Sequence, residues 1–287
     1  MMRHRYVDVD GVRVFYREVG PADAPTVLLL HGFPTSSHQY RELMTALGTR
    51  LRLIAPDLPG FGHTEPLPGT TTFDRLAEVV GGFVERIGLD RFLLYVFDYG
   101  APVGFRLAQR HSERIAGLVV QNGNAYEEGL SEQALAFIRL RREVPGDADR
   151  ARAMLSLDSI RAQYLTGVAD PELISPDGWS LDQYFLELPG RAEVQLDLMF
   201  DYHTNVESYP RWQAWLREHR PPTLITWGRN DPFFTEPGAR AYLRDLPDAR
   251  LHLFDTGHFA LEEELPAIAH LLGEFSELVW SSLGASS

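Results

Sequence analysis

The feature that most constrains this chain is an alternation of short aliphatic runs with helical patterns, which stops and later resumes. From Thr26 to about Gln121, apolar runs of strand length are separated by stretches with helical spacing. Such alternation is typical of a mostly parallel β-sheet flanked by helices. It resumes at Thr223–Trp227 and Arg250–Phe254 and ends in a helix from about Glu262 to Leu278. We therefore expect one α/β core built from both ends of the chain.

Local composition marks the individual elements of this core. Asp10-Gly11 is a hairpin turn signal between two alternating segments, and continuous aliphatic runs are typical of strands buried on both faces. Before residue 122, the predicted strands are Tyr6–Val9, Val12–Arg17, Thr26–Leu30, Leu51–Ala55, Phe92–Phe97 and Leu118–Gln121. The predicted helices run from Ser36 or Ser37 towards Leu47, over Phe73–Ile87 and over Val103–Arg110.

Between about Ala125 and Glu218 the alternation gives way to helical patterns and turns. These helical patterns cover Ser131–Arg142, Asp149–Tyr164, Leu181–Leu188 and Val194–Val206. A helical block inside a resumed α/β pattern favours a cap inserted into one core, with residues 1–125 and 216–287 as core and 126–215 as cap. Two separate domains are the weaker alternative, because the flanking halves complete each other's pattern.

Composition and charge exclude several classes of site and partner. The 287 residues are 44% hydrophobic, which is enough for one large core or for a core with an inserted subdomain. The absence of cysteine excludes disulfides, thiolate metal sites and cysteine nucleophiles. A formal charge of −13 argues against nucleic acid as a partner, because phosphate backbones are bound by clustered Lys and Arg.

The hydropathy pattern argues against a membrane protein. Every apolar run is shorter than the roughly 18 to 20 residues that a membrane span needs. Met1–Asp10 lacks the apolar region of a secretory signal, so we expect a cytoplasmic protein. The histidines are scattered and no His-Glu-x-x-His motif occurs, so no metal site is expected.

Three acid–base residues follow predicted strands of the core. Asp98 follows Phe92–Phe97, Asp231 follows Thr223–Trp227, and His258 follows Arg250–Phe254. Ligands of open parallel sheets bind at the carboxyl ends of strands, and the chain order is that of an α/β-hydrolase triad. Taken singly, each residue could be a helix cap, a turn residue or an ordinary hydrogen-bonded histidine. The coincidence of type, order and position favours catalysis.

These residue types predict a covalent mechanism. The Asp98 carboxylate can attack an sp³ carbon and form an ester, and His258 can then activate the water that hydrolyses it. Asp231 would hold the imidazole tautomer, while the backbone N–H groups of Phe33 and Tyr99 would bind the oxyanion. No Gly-x-Ser-x-Gly motif occurs, which argues against an ordinary serine esterase or lipase.

Five motifs together resemble the epoxide hydrolase and haloalkane dehalogenase branch of the α/β-hydrolase superfamily. They are His31-Gly32-Phe33-Pro34, Asp57-Leu58-Pro59-Gly60-Phe61-Gly62, Asp98-Tyr99-Gly100, Trp227-Gly228-Arg229-Asn230-Asp231 and Gly257-His258-Phe259. The resemblance covers the whole core. It implies an α/β-hydrolase fold, an Asp nucleophile, no cofactor, and a helical cap over a largely apolar pocket.

Two residues beside the nucleophile bear on the subgroup. Phe33 is similar to the epoxide hydrolases and fluoroacetate dehalogenases, whereas many haloalkane dehalogenases carry Asn there to hold halide. Tyr99 stands where the family usually has Trp, so it lacks the indole N–H that binds halide. It also replaces an arginine with which fluoroacetate dehalogenases grip a carboxylate. Val96 and Phe97 depart from the usual Gly-His or Gln before the nucleophile.

Cap tyrosines donate to the leaving oxygen in epoxide hydrolases, and the resemblance implies that Tyr202 does so here. Tyr164 is our candidate for the second donor, with Tyr184 as the alternative. Asn122 or Asn124 could orient His258 or satisfy loop backbone. We expect the substrate pocket to include His31, Pro34, Tyr184, Asn122 and Phe259.

The sequence therefore predicts an epoxide hydrolase that converts a small apolar organic epoxide and water to a diol. A hydrolytic haloalkane or haloacid dehalogenase is the nearest alternative. A non-catalytic ligand-binding protein on the same fold is the alternative of another class. The sequence leaves open whether the protein is a monomer or a homodimer.

Overall fold

The centre of the molecule is an eight-stranded sheet with the strand order β1-β2-β4-β3-β5-β6-β7-β8 in a computed structural model that describes residues 1–284. The strands are β1 (Arg3–Val9), β2 (Val12–Val19), β3 (Thr26–Leu30), β4 (Arg52–Pro56), β5 (Phe92–Phe97), β6 (Ile115–Gln121), β7 (Thr223–Gly228) and β8 (Arg250–Phe254). β2 pairs antiparallel with β1 and β4, and all other pairings are parallel. The predicted mostly parallel sheet is confirmed.

Twelve α-helices are assigned within residues 1–284. They are α1 (Arg41–Leu47), α2 (Phe73–Arg86), α3 (Gly100–Arg110), α4 (Glu132–Ile138), α5 (Asp147–Ala153), α6 (Leu157–Leu165), α7 (Pro176–Leu186), α8 (Arg191–Asp201), α9 (His203–His219), α10 (Glu236–Asp245), α11 (Ala260–Glu263) and α12 (Leu265–Gly284). Short 3₁₀ turns precede α1 and occur in several of the connections.

The sheet is covered on both faces, as its continuous aliphatic strands require. On β3, Leu28 and Leu30 belong to the apolar cluster with α2 and α3, while Val27 and Leu29 belong to the cluster with α1 and α12. Successive side chains of a strand point to opposite faces, so one aliphatic run serves both clusters. The flanking helices expected from the sequence are therefore present on both sides of the sheet.

Helices α4 to α9 lie in the segment between β6 and β7, which we call the insert (residues 122–222). Apolar residues of α8 and α9, among them Leu198, Met199 and Trp212, are continuous with the cluster on the α2–α3 face. The division into a core and a cap of residues 126–215 remains a prediction, and the boundary at 215 falls inside α9. Residues 285–287 of the predicted core segment 216–287 lie outside the described residues.

Within the insert the helix boundaries differ from those predicted. The pattern over Asp149–Tyr164 forms two helices, α5 and α6, because Ser156 leaves the helical conformation and caps α6 through the N–H of Ser159. The last predicted pattern is divided between α8 and α9, and α9 continues through Pro210 to His219.

No helix within residues 1–284 is long and apolar enough to cross a membrane.

Candidate active site

The three predicted acid–base residues meet at one edge of the sheet. Asp98 directly follows β5, Asp231 lies just beyond β7, and His258 lies just beyond β8. β5 and β7 flank β6, and β8 pairs with β7. All these pairings are parallel, so the carboxyl ends of the strands lie at the same edge of the sheet. All three side chains are buried, with 7% of Asp98, 4% of Asp231 and 1% of His258 exposed.

A sharp turn presents the Asp98 side chain to this edge. Asp98 has φ +45°, a left-handed conformation that L residues rarely adopt, immediately before α3 begins. The turn packs so closely that a Cβ on Gly100 would lie 2.1 Å from the carbonyl oxygen of Leu30. A Cβ on Gly32 would lie 2.3 Å from Asp98 Oδ1. Both positions therefore require glycine for the nucleophile to sit where it does.

The two carboxylate oxygens of Asp98 have different surroundings. The backbone N–H of Phe33 donates to Oδ1 over 2.6 Å, and the N–H of Tyr99 also interacts with this carboxylate. Oδ2 lies 3.8 Å from His258 Nε2, which is beyond direct hydrogen-bond distance. Oδ1 therefore accepts from the backbone of the Phe33 loop, while Oδ2 is the oxygen nearer His258.

The imidazole is fixed on its other side by Asp231. His258 Nδ1 lies 2.6 Å from Asp231 Oδ2. Asp231 Oδ1 accepts the backbone N–H groups of Phe233 and Phe234, at 2.8 and 3.1 Å. With Nδ1 as donor to Asp231, the neutral ring presents an unprotonated Nε2 towards Asp98, as a general base requires.

Asn122 holds the acid in place from β6. Its Nδ2 donates to Asp231 Oδ2 over 2.8 Å, and its Oδ1 accepts the N–H of Gly228 over 3.0 Å. The residue is fully buried and has φ +42°. Of the two asparagines considered from the sequence, Asn122 contacts the acid, whereas Asn124 donates to Tyr126 and Tyr209.

The pKa values of Asp98 and His258 are both raised, for different reasons. Burial raises the pKa of Asp98 to about 6, although His258 and the N–H groups of Phe33 and Tyr99 oppose the shift. Burial by itself would lower the pKa of His258, but the neighbouring Asp231 and Asp98 outweigh it, so that pKa is raised. Asp98 is therefore mostly ionised at neutral pH, as a nucleophile needs to be.

A small, mainly apolar cavity opens from Asp98 into the insert. The centre of a water molecule can occupy about 40 Å³ of it, which is room for only a small ligand. Its lining residues are Phe33, Asp98, Tyr99, Ala134, Phe137, Ile138, Met154, Gln163, Tyr202, Phe233, Phe234 and His258. Asp98, His258 and residues of the insert thus line one cavity.

Comparison with known proteins agrees with this geometry. Residues 25–265 match the family of the alpha/beta hydrolase fold, a range that includes all three acid–base residues. The chain belongs to the α/β-hydrolase family. An uncharacterized hydrolase of Saccharomyces cerevisiae is 41% identical to this hydrolase, over 96% of this chain and 97% of the relative.

Two further similarities connect this hydrolase to named activities. Epoxide hydrolase 2 of Caenorhabditis elegans is 24% identical over 94% of this chain and 79% of its own length. The crystal structure of haloalkane dehalogenase DbeA from Bradyrhizobium elkani has a TM-score of 0.80 at 22% identity, covering 98% of this chain and 100% of that one. The first is a similarity of sequence along most of the chain, and the second is a similarity of fold.

The three cap tyrosines considered from the sequence lie in different environments. Tyr202, at the junction of α8 and α9, lines the cavity with Asp98, and its ring centroid lies 5.8 Å from that of Tyr99. Tyr164 does not line the cavity, because its hydroxyl donates to Asp182 over 2.6 Å and its ring stacks on Phe259. Tyr184 is 57% exposed, so its assignment to the pocket is wrong.

The other four residues expected in the pocket do not line the cavity of this hydrolase. His31 is buried in a loop contact, where Nε2 accepts the N–H of Leu58 and Nδ1 lies 3.1 Å from the carbonyl of Gly32. Pro34 is absent from the cavity lining, and Phe259 packs between Tyr164 and the His258 ring. Asn122 lies behind Asp231. All four assignments to the pocket are corrected, since these side chains support the site from outside the cavity.

Sequence reasoning missed most of the side chains that shape the cavity. Ala134, Phe137 and Ile138 come from α4, Met154 follows α5, and Gln163 comes from α6. Their helical pattern was recognised, but which face of each short helix meets Asp98 depends on the packing of the insert. Phe233 and Phe234 lie two and three residues after Asp231, and this proximity was the one signal that could have identified them.

Proposed function

We propose that this hydrolase opens an epoxide through an ester on Asp98 and releases a diol. The observation that carries the proposal is that Tyr202 and Asp98 line the same small cavity. Burial, together with the charge on Asp98 and the neighbouring tyrosines, raises the pKa of Tyr202 well above its usual value, so the hydroxyl keeps its proton. When an epoxide opens, its ring oxygen stays attached to the product and becomes an alkoxide. A protonated donor in the same cavity as the carboxylate nucleophile can supply the proton that this alkoxide needs.

In the first step, Asp98 Oδ2 attacks a carbon of the epoxide and the bond between that carbon and the ring oxygen breaks. The ring oxygen leaves with the electron pair and takes the proton of the Tyr202 hydroxyl. Tyr202 also hydrogen-bonds to Tyr209, whose oxygen accepts Asn124 Nδ2 over 3.2 Å. Hydroxyl groups can reverse donor and acceptor roles, so Tyr209 can donate to the Tyr202 oxygen as negative charge develops on it.

In the second step, His258 Nε2 takes a proton from water, and the hydroxide oxygen attacks the carbonyl carbon of the Asp98 ester. The negative charge develops on Oδ1, which the N–H of Phe33 already holds at 2.6 Å. Collapse of this intermediate breaks the bond between the carbonyl carbon and Oδ2. The departing Oδ2 takes the proton of the newly added hydroxyl and leaves as the second hydroxyl of the diol, which restores the Asp98 carboxylate. The proton on His258 returns through solvent to the Tyr202 oxygen, which regenerates both groups.

A haloalkane dehalogenase would use the same two steps with halide as leaving group, and DbeA shares the fold at 22% identity. The chemistry beside Asp98 favours the epoxide. The residues that stand in the oxyanion loop and after the nucleophile are Phe33 and Tyr99, whose rings carry no N–H for a halide. The Tyr202 hydroxyl is better matched to an alkoxide, which needs a proton as well as a hydrogen bond.

The test is a parallel assay of two substrates of similar size, 1,2-epoxybutane and 1-bromobutane, with styrene oxide as a larger epoxide. We expect diol from the epoxides and no bromide from the bromoalkane. Asp98→Asn should reduce turnover by roughly 10⁴-fold or more, since the nucleophile is lost. His258→Gln should form the ester but not hydrolyse it, so mass spectrometry of the intact protein should show one added epoxide per chain.

Each other result has a definite meaning. Bromide release with no diol would replace the epoxide assignment by the dehalogenase. An unmodified His258→Gln protein together with a wild type that turns over none of the three compounds would contradict a covalent mechanism on these substrates. Activity of freshly purified Asp98→Asn, with deamidation excluded by mass spectrometry, would contradict Asp98 as the nucleophile.

A further inference from the structure

A second cavity adjoins the one that contains Asp98. It lies between α4, α6 and the loop after Asp231, and the centre of a water molecule can occupy about 170 Å³ of it. Its lining residues are Gln133, Met154, Ser159, Ala162, Gln163, Thr166, Pro232 and Phe233. Three of these residues, Met154, Gln163 and Phe233, also line the inner cavity. They form the boundary between the two spaces.

Gln163 is the polar member of this boundary. Its side chain is 6% exposed, yet within residues 1–284 its carboxamide makes no hydrogen bond to another residue. A polar side chain in a mostly apolar cavity gains a hydrogen bond when a ligand supplies one. Because Gln163 lines both cavities and its amide has no protein partner within residues 1–284, it is available to a ligand.

The position of Gln163 separates it from the reacting groups. Asp98, Tyr202 and His258 line only the inner cavity, whereas Gln163 is shared with the outer one. Around it the inner lining is apolar, with Met154 and Phe233 as its neighbours at the boundary. The amide therefore contacts the end of a bound molecule that points away from the nucleophile.

The chemistry of the amide restricts what that end can be. A carboxamide donates and accepts hydrogen bonds but carries no charge. A carboxylate on the ligand would share this small cavity with the Asp98 carboxylate, and an ammonium group would lose its water with only the amide in its place. A neutral oxygen, as in a hydroxyl or an ether, suits the amide best.

We propose that Gln163 selects epoxides that carry a neutral hydrogen-bonding oxygen one or two bonds from the ring, as in epoxy alcohols and glycidyl ethers. This inference rests on the proposed epoxide hydrolysis and names its substrate class. The ring lies between Asp98 and Tyr202, the substituent oxygen meets Gln163, and the remaining contacts are apolar. Gln163 is thus a determinant of specificity that contacts the substrate, with no part in ring opening.

The test compares glycidol with 1,2-epoxybutane, which have the same number of heavy atoms and differ by a hydroxyl in place of a methyl group. The measured quantity is the ratio of their kcat/KM values in each protein, so that the intrinsic reactivities cancel between variants. Gln163→Met keeps the length of the side chain and removes the amide. We expect it to lower the ratio by about tenfold, which corresponds to one buried hydrogen bond.

Gln133→Met is the matched control, because Gln133 is exposed and lines only the outer cavity. It should leave both epoxides unchanged. Gln163→Asn is a second variant in case Gln163→Met folds poorly, and it should lower the ratio because its shorter amide cannot reach the same oxygen. Thermal unfolding of each variant checks that the fold is intact.

The outcomes distinguish this inference from the function on which it rests. Turnover of neither epoxide by the wild type overturns the proposed function and this inference with it. Turnover of both epoxides with an unchanged ratio in folded Gln163→Met and Gln163→Asn overturns the inference alone. An equal loss on both epoxides also overturns it, because Gln163 would then act on a step that the two substrates share.

Discussion

At the residue scale, the pKa of Asp98 is set by its burial, by the nearby His258 and by two backbone hydrogen bonds. Burial favours the neutral acid, while two backbone N–H groups and the nearby His258 favour the carboxylate. The balance leaves the pKa at about 6, so the nucleophile is ionised at neutral pH without being strongly stabilised. A less stabilised carboxylate is a better nucleophile than one held by a salt bridge.

This balance predicts the pH dependence of the first step. Below the raised pKa of about 6, Asp98 gains a proton and cannot attack, so kcat/KM for an epoxide should fall about tenfold per pH unit. A pH profile of kcat/KM between pH 4.5 and 8.5 checks this. A limb near pH 4, the value of an ordinary carboxyl, would contradict it.

His258→Gln provides an internal control for the same measurement. The charge on His258 lowers the pKa of Asp98, so its removal should move the acid limb of ester formation to higher pH. Ester formation can be followed by mass spectrometry in single-turnover mixtures, since this variant should not complete the reaction. A limb at the same pH in both proteins would show that the two groups do not interact.

The acid–base residues could be predicted from the sequence because each lies at or just beyond the end of a strand. Strand ends in a parallel sheet are fixed in space by the sheet, so order along the chain is enough to bring Asp98, Asp231 and His258 together. Tyr164 could not be placed in this way. Its hydroxyl turns to Asp182, and that choice depends on how α6 and α7 pack against each other.

At the scale of elements, Arg106 connects α3 of the core to α9 of the insert. The guanidinium is nearly buried and donates to Asp74 Oδ1 over 2.5 Å and to Asn205 Oδ1 over 2.8 Å. It also lies over the rings of Phe73 and Trp212. Arg106 thus joins two helices that are distant along the chain.

Removal of this contact should destabilise the protein. Arg106→Leu would leave the fully buried Asn205 side chain without its donor, and we expect a loss of roughly 2–3 kcal/mol in the free energy of unfolding. Arg110→Leu, one turn later on α3, is the control. Arg110 is 40% exposed and 3.9 Å from Glu78, so its loss should stay within about 0.5 kcal/mol. Urea unfolding at neutral pH measures both, and equal losses would contradict the assignment.

Strands were predicted more accurately than helices of the insert, and the reason is physical. A strand buried on both faces is apolar along nearly its whole length, so β3 and β5 appear in the sequence with their observed bounds. Short helices of the insert carry apolar residues on several faces. Their ends are set by caps such as Ser131 and Ser156, whose role emerges only when the preceding turn is known.

At the scale of the whole molecule, one buried acid connects the insert to the core. Asp182 of α7 is 1% exposed, accepts the Tyr164 hydroxyl, and has Thr35 of the oxyanion loop as a second hydrogen-bond partner. Burial raises its pKa to about 7, with Glu262 adding to the shift while Arg41 and the two hydroxyls oppose it. The carboxyl is therefore partly protonated at neutral pH.

This shift makes stability depend on pH in a definite direction. Between pH 3.8, the ordinary pKa of an aspartate, and about pH 7, the folded protein holds a proton on Asp182 that the unfolded chain has lost. The contribution of Asp182 to the free energy of unfolding is therefore complete below about pH 4. It falls by up to ~1.4 kcal/mol per pH unit as the pH rises through this range, and it becomes constant above about pH 7.

Asp182→Asn removes the titration while keeping an acceptor for Tyr164. Relative to the wild type, its free energy of unfolding should increase between pH 5 and pH 7.5, as measured by urea unfolding at both values. Asp177→Asn, at an exposed position of the same helix, is the control and should show no such change. A difference between wild type and Asp182→Asn that is the same at both pH values would contradict the prediction.

The close approach at Gly32 has a consequence for how such a sequence can change over generations. Any Cβ at this position would displace the oxygen of Asp98 that Phe33 holds, so an exchange there alters the nucleophile itself. Ala134, Ile138 and Met154 line the cavity from the insert, whereas the three acid–base residues lie at the strand ends. Substitutions at these cavity residues can therefore change which molecules are accepted one step at a time. The arrangement around Asp98, in contrast, tolerates no change at Gly32.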